Sequence, residues 1–397
     1  MARFGVEEEF VVLDEETLVP LALDRDTRES LVGSRHGGTI TPEYLTSQLE
    51  IATAPLSTVA EATEQLGALR ATLDEHVSRQ RAVVVATGTP FLASPHPEIF
   101  PLAHYDAVAD ILGEITRGHE VNGLHVHVEV PAEEVRVRAL NRAARWMPML
   151  LALTGNSPFA GGRTTGFASW RSVVIRRLPT AWTPPRFHDY SDYRARVDAL
   201  LALGGITEES SLGWTLRLSA RFPTVEVRVC DAQLDVEDSL LAAALCRAIV
   251  TAADLDDGPE IGSDAIDASL WTAARYGMRA RILDPTTGEA AAADVVLDRM
   301  LQRIAPQLAE SGDAEFVEGM LARVLRDGTG AYRQLRAHAR GGVAGLRDLY
   351  RSTTRDLRTS APAPSPSPAP AASPAPAPDS RVERSETPPE SILPTRF

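Results

Sequence analysis

Four short segments, far apart in the chain, alternate apolar side chains with charged ones. That pattern restricts the fold to a sheet with one apolar and one charged face. Successive side chains of a strand point to opposite faces, so residues i and i+2 share a side. In Gly5-Val6-Glu7-Glu8-Glu9-Phe10, Glu7 and Glu9 therefore share a face about 7 Å apart, with Glu8 opposite. In Gln48-Leu49-Glu50-Ile51, alternation sets Glu50 against the apolar pair, and Glu43 stands a few residues earlier. Asn122-Gly123-Leu124-His125-Val126-His127-Val128 points His125 and His127 the same way, and Gly123 permits close approach of a ligand. In Thr224-Val225-Glu226-Val227-Arg228-Val229, Glu226 and Arg228 share one face and the three valines the other. Each segment alone has a plain explanation: an acidic edge, a surface strand, a chance His-x-His, an ion pair worth little if exposed. Their convergence is what carries meaning, because four strands then offer inward polar groups to one site.

The remaining pattern is mixed. Residues 59–79 have helical spacing, with Leu66, Leu69 and Leu73 on one face and Thr58/Glu61 as a capping box. The run Val83-Val84-Val85-Ala86 reads as a buried strand. Helices are expected after Pro131 through Arg145, over 147–153, over 235–253 behind an acidic first turn, and over 291–304, 314–326 and 331–339. Strands separated by long helical insertions, without a regular βαβ rhythm, give an α+β class. Near Ser360 the composition changes: 11 of the 28 prolines fall in residues 360–397, mostly in an Ala-Pro/Ser-Pro run. The expected division is therefore one catalytic domain over 1–358 and a disordered Pro/Ala/Ser-rich tail over 359–397.

Lysine is absent; all 40 basic residues are arginine, against 54 acidic ones, for a net charge of −14. This excludes a Walker A phosphate loop, a pyridoxal Schiff base and a carbamylated-lysine metal bridge, each of which needs an amine. An acidic chain with no basic stripe also argues against a nucleic-acid partner. Cys230 and Cys246 sit in apolar runs and read as buried free thiols. Neither an apolar signal core nor a run of about 18 apolar residues is visible, so a cytoplasmic protein without a membrane partner is expected. Two further segments supply arginine and polar groups in place of lysine. One is the loop from Asn156-Ser157-Pro158 to Arg171, and the other runs from Asp327-Gly328-Thr329-Gly330 to Arg333 and Arg336.

Taken in order, these segments, with Ala274-Arg275-Tyr276-Gly277, resemble the ATP-dependent carboxylate–amine ligases grouped with type 2 glutamate–cysteine ligases. The resemblance spans nearly all of residues 3–340. It implies a glutamine synthetase-like catalytic fold: a curved antiparallel sheet with helices packed on its outer face, its concave face binding Mg²⁺, ATP and substrates. It implies an acyl phosphate formed from a carboxylate and ATP, then displaced by an amine, with glutamate and cysteine as the name-giving pair and association into a homo-oligomer. The expected metal ligands are Glu7, Glu9, Glu43, Glu50, Glu226 and His125. Arg228 is expected on the substrate carboxylate or transferred phosphoryl, with Glu226 beside it in the catalytic centre, and Arg171, Arg333 and His127 toward the nucleotide. As an inward metal ligand, Glu226 is expected to be dispensable for folding. Glu129, where the family commonly has glycine, falls on the histidine face and would add a ligand, crowd the substrate, or lie harmlessly at the strand end. Two other readings fit fewer residues. A metal-dependent hydrolase built on the His-x-His pair has only His188 and His338 to draw on downstream, and a silent ATP-binding protein leaves the carboxylates unused.

Overall fold

The computed structural model describes residues 1–256 and 258–360, so the expectation for the proline-rich run lies outside the described residues. Its centre is an antiparallel sheet of eight strands: β1 (Phe4–Asp14), β2 (Gly33–Arg35), β3 (Gly38–Pro42), β4 (Gln48–Ala52), β5 (Ala82–Val85), β6 (Gly123–Glu129), β9 (Leu216–Leu218) and β10 (Thr224–Asp231). The intervening β7 (Phe159–Ala160) and β8 (Arg163–Thr164) form a separate small hairpin. Spatial order in the large sheet is β2-β3-β4-β1-β6-β10-β9. β1 is long enough for two neighbours on one edge: β6 pairs with Phe4–Glu8, and β5 takes over from Val11 to Asp14.

Alternation sorts the sheet as the sequence suggests. Phe4, Val6, Phe10 and Val12 of β1, with Leu49, Ile51, Leu124, Val126, Val128, Val225 and Val227, belong to one continuous buried core. Helix Val59–Val77 contributes Leu66, Leu69 and Leu73 to it, and its expected capping box is formed: Thr58 accepts from the Glu61 amide while Glu61 accepts from that of Thr58. Helix Val236–Thr251 is buried on almost every side, as a helix must be when it lies between a sheet and further helices. Helices Ala293–Ser311 and Ala314–Asp327 add Val296, Leu297, Met300, Val317, Leu321 and Val324 to the same core.

Glu8 breaks the apolar face. It is fully buried against helix Val59–Val77, where Arg70 grips both carboxylate oxygens at 2.8 and 2.7 Å. Arg70 also donates to the carbonyls of Gln233 and Leu234 and to Ser239 Oγ, joining β1, the first long helix and the approach to Val236–Thr251. The opposite face of β1 is charged only over its first half. Beyond Glu9 it carries Val11 and Leu13, which pack with Val83, Val85, Phe91, Phe159, Leu346 and Tyr350 as a second, smaller cluster. The last two come from Gly330–Ser360, a helical segment interrupted at Gly342 (φ 57°, ψ −139°) and reaching well past the expected 331–339. Among the described residues, no helix is long and apolar enough to cross a membrane.

Replacing Arg70 by methionine strands a buried carboxylate and should cost about 3–5 kcal/mol of stability, read as a lower urea midpoint. Adding Glu8→Leu should recover a large part of that loss. Equal stability of the single and double variants would contradict this account of the pair.

Candidate active site

Strand register, more than sequence distance, assembles the charged face. β1 and β6 pair so that Glu7 lies opposite His125, β1 and β4 so that Glu9 lies opposite Glu50, and β10 and β6 so that Glu226 lies opposite His127. Glu43 follows directly on β3. His127 Nε2 is 3.2 Å and His125 Nδ1 3.4 Å from the two oxygens of Glu7, and His125 Nε2 is 3.8 Å from Glu9. Three overlapping sets of ligand atoms result, each within 4.8 Å of one another: Glu7/His127/Glu226, Glu7/Glu50/His125 and Glu9/Glu43/Glu50. A donor set rich in carboxylate oxygen, with shared members, suits hard divalent cations.

Electrostatics divides the cluster into two halves. Burial raises Glu43 to about 8, and Glu9 and Glu7 add to the rise. Burial, followed by the charges of Glu7, Glu43 and Glu9, likewise holds Glu50 well above the usual range. On the other side burial is overcome: His127 and His125 pull Glu7 well below the usual range, and Arg217 and Arg228 do the same for Glu226. One half therefore lacks positive charge and holds protons, while the other already has its counter-charges.

A buried platform beside the cluster comes from the Asn156–Arg171 loop. β10 contains an irregularity between Val227 and Cys230. The extra residue resets the alternation, so that Cys230 enters the core and Asp231 turns to the charged face. Asp231 accepts from the Asn156 amide (2.8 Å), Ser157 Oγ (2.6 Å) and Ser169 Oγ (2.8 Å). Asn156 Nδ2 donates to the carbonyls of Ala86 and Ala232, and its Oδ1 accepts from Gln334 at 2.7 Å. Gly330 is needed there because a Cβ would stand 2.2 Å from that Oδ1. The amides of Ala168 and Ser169 dock on the Ala274 carbonyl, and Arg275 stacks on Phe167. Arg171, buried, then reaches across: its Nη2 lies 2.5 Å from where a Cβ on Gly123 would stand.

The structure brings together Glu7, Glu9, Glu43, Glu50, His125, His127, Glu226 and Arg228, with Arg171 at their edge. Arg333 is elsewhere: it pairs with Asp235 and with Asp238 (3.1 Å), alongside Arg323. Glu129 pairs with Arg3 at the strand end, 2.7 and 3.0 Å from its guanidinium, and belongs to none of the three ligand sets. His188 is exposed beside Asp189, and His338 packs on Phe91 and Phe159; neither joins the histidine pair. Both cysteines are buried free thiols. The expectation that Glu226 is dispensable for folding is corrected. Arg217, which the sequence reading missed, grips both its oxygens at 2.8 and 3.0 Å, and Arg228 binds it from the other side. Arg217 faces Glu226 across the β9–β10 pairing, between Leu216 and Leu218 of a strand only three residues long.

Comparison with known proteins came down on one family. The family described as "Glutamate-cysteine ligase family 2(GCS2)" matches residues 3–352. A protein of Saccharopolyspora erythraea named "Putative glutamate--cysteine ligase 2-2" is 36% identical over 353 residues, covering 85% of this chain and 88% of its own. A like-named protein of Mycobacterium sp. strain KMS is 36% identical over 360 residues, covering 88% and 98%. Among solved structures, a glutamate–cysteine ligase from Francisella tularensis in complex with AMP superposes with a TM-score of 0.67 at 15% identity, over 90% of this chain and 89% of that one. A bifunctional glutathione synthetase from Pasteurella multocida has the same score and identity, over 90% and 52%. At that identity the likeness speaks for the fold alone.

Replacing Glu226 by alanine leaves the buried Arg217 and the half-buried Arg228 guanidinium without their carboxylate. The variant should lose about 3–5 kcal/mol of stability in urea denaturation, and unchanged stability would contradict the pairing described.

Proposed function

The chain belongs to glutamate–cysteine ligase family 2, and from that membership we propose an ATP-dependent carboxylate–amine ligase working through an acyl phosphate. The observation that carries the reading is the cluster of Glu7, Glu9, Glu43 and Glu50 beside Arg228 on one sheet face. In the proposed reaction a carboxylate oxygen of the first substrate attacks the γ-phosphorus of ATP, and ADP leaves with the electrons of the broken P–O bond. The nitrogen of an amine then attacks the acyl carbon. A C–N bond forms, the C–O bond to phosphate breaks, and the nitrogen's proton passes to phosphate or solvent. No protein nucleophile takes part, so the protein's task is to align reactants and balance charge.

Glu7, Glu9, Glu43, Glu50, Glu226 and His125 are the residues we assign to divalent metal, Mg²⁺ being the ion that such oxygen donors and a phosphate substrate suit. A cation held there offsets the charge of the transferring phosphoryl group. Arg228 is held by Glu226 yet lines the main cavity, about 440 Å³ in volume. Its planar fork is the group we assign to the substrate carboxylate or the transferred phosphoryl. Arg171 bonds the carbonyls of Arg228 and Val229 and lies 3.9 Å from Asp231. Those contacts suit it to fixing Arg228 in place and to presenting charge toward a nucleotide phosphate. His127 sits between Glu7 and Thr224 Oγ1, which suits it to orienting Glu7. We do not carry Arg333 forward as a phosphate ligand, since Asp235 and Asp238 occupy it. The donor we assign is a small carboxylate, glutamate in the family's name-giving reaction. We place the reaction in the cytoplasm, where ATP is supplied, and expect a homo-oligomer.

The test is ADP release with Mg²⁺ and ATP across a panel crossing glutamate and other acids with amines, the amide being identified by mass. Release that requires both partners is expected, and nucleotide binding without release for any pair favours a silent binding protein. Arg228→Lys should lower kcat at least about 100-fold, since a single ammonium cannot replace the two-donor fork.

A second prediction does not depend on turnover. Glu43, raised to about 8, and Glu50, raised as well, have folded pKa values above the ordinary 4.5. They therefore favour folding fully below about pH 4.5, and that contribution is lost as pH rises through their raised values, about 8 for Glu43. The metal-free protein should melt lower at pH 9 than at pH 7, and Mg²⁺ should reverse the drop. Mg²⁺ binding at pH 7 should release protons, measured calorimetrically in buffers of different ionisation enthalpy. Binding without proton release would contradict the assignment.

A further inference from the structure

One ring on the wall of the main cavity makes no hydrogen bond among the described residues, although the backbone that carries it is fastened on both sides. His119 lines this cavity together with Glu9, Glu43, His125, Arg171 and Arg228. The chain around it leads into β6. Arg177 Nη2 holds the Gly118 carbonyl at 3.2 Å, and both oxygens of Glu120 accept from the Ser94 amide at 3.0 Å. Gln48 Nε2 holds the Val121 carbonyl at 2.7 Å and Asn122 Oδ1 at 2.9 Å, and the Gly123 amide donates to Glu9 at 2.6 Å. A segment tied this closely has little ordering entropy left to lose when a ligand arrives.

The ring is a neutral donor in a positive setting. Burial and then Arg177 lower His119 to about 4, Arg171 adding to the fall and Glu9 opposing it. A nitrogen so weakly basic cannot take the amine's proton near neutral pH. His119 also belongs to none of the three carboxylate-rich ligand sets. Its Nδ1 is buried without a hydrogen-bond partner among the described residues. An enclosed N–H lacking an acceptor is rarer in folded proteins than an enclosed lone pair. The proton of the neutral ring is accordingly assigned to Nε2, which leaves Nε2–H as the group the ring offers to the cavity. Arg177 has no carboxylate partner among the described residues: its guanidinium donates to the carbonyls of Val174 (3.1 Å) and Gly118 (3.2 Å). An N–H donor beside that charge favours an anionic oxygen and disfavours an ammonium.

Resting on the ligase reading above, we propose that His119 is a substrate-contacting residue of this site, its Nε2–H donating to an anionic oxygen of a bound substrate. Two substrates bring such an oxygen, the acid through its carboxylate and ATP through its phosphates, and the experiment separates them. In either case the ring neither gains nor loses a proton.

The test is steady-state ADP release by the full chain with Mg²⁺, ATP, glutamate and cysteine, or the pair that the panel above puts in their place. Three variants are compared. In His119→Gln an amide N–H can stand near the position of Nε2, in His119→Asn it reaches only the position of Nδ1, and His119→Leu has no donor. The leucine and asparagine variants should lose at least about tenfold in kcat/KM, the scale of one hydrogen bond to a charged group, with unchanged urea midpoints. The glutamine variant should stay within about threefold of the parent. A raised KM for the acid assigns the bond to its carboxylate, a raised KM for ATP assigns it to a phosphate, and a fall in kcat alone assigns it to the transition state. Between about pH 6 and about pH 9 the parent and His119→Gln should share one pH profile. Full activity of His119→Leu and His119→Asn, equal loss in all three variants, or a KM rise confined to the amine would overturn the inference while leaving the ligase reading intact. A fall in activity toward acid that is present in the parent and absent from His119→Gln would make the ring a proton carrier and overturn it likewise. No ADP release by the parent with any pair would overturn the ligase reading, and this inference with it.

Discussion

Carboxylates gathered on one face of a sheet repel one another, and much of this structure follows from holding them together. Burial and mutual repulsion push Glu43 and Glu50 toward their neutral forms, while histidine and arginine keep Glu7 and Glu226 charged. A chain gains no stability from such an arrangement by itself, because desolvated like charges are unfavourable. The opposition is met by rigid parts around it: the continuous core beneath the sheet, the Glu8–Arg70 pair on the reverse face, and the smaller apolar cluster over the far half of β1. An acidic face that gives up protons when a cation arrives is the expected outcome of that balance.

The loop platform shows how a local irregularity serves the site. One extra residue in β10 moves Asp231 from the apolar to the charged side, and Asp231 then fixes Asn156, Ser157 and Ser169 together. Segments far apart in sequence meet there: Ala274 docks the loop from one side, Gly330 and Gln334 close on Asn156 from another. Motifs that carry no ligand of their own thus act by positioning Arg171, and through it Arg228.

Much of this was legible in the sequence, and the parts that were not have physical reasons. Alternation identified the faces of β1, β4, β6 and β10, because a period of two leaves little freedom once one face is apolar. Alternation cannot give register, so it could not tell that Glu7 meets both histidines or that Glu9 meets Glu50. It also fails across a bulge, so it gives no sign that Asp231 turns to the charged face. Arg217 lies in a three-residue strand, too short for a pattern to stand out. Arg333 followed a glycine-rich turn in the manner of a phosphate contact, but two aspartates at the start of helix Val236–Thr251 claim it in space. Helix Ala103–Leu112, which lines the cavity with Val108, Ile111 and Leu112, buries no residue, and the sequence reading gave no expectation of it.

The central claim is that the charged sheet face is a seat for divalent cations serving phosphoryl transfer. The most direct measurement is anomalous diffraction from crystals grown with Mn²⁺ and a non-hydrolysable ATP analogue. The account predicts manganese peaks within bonding distance of carboxylate oxygens from Glu7, Glu9, Glu43 and Glu50, with the analogue's phosphates completing their coordination. Nucleotide bound with no manganese on those carboxylates, or manganese held elsewhere in the fold, would contradict it.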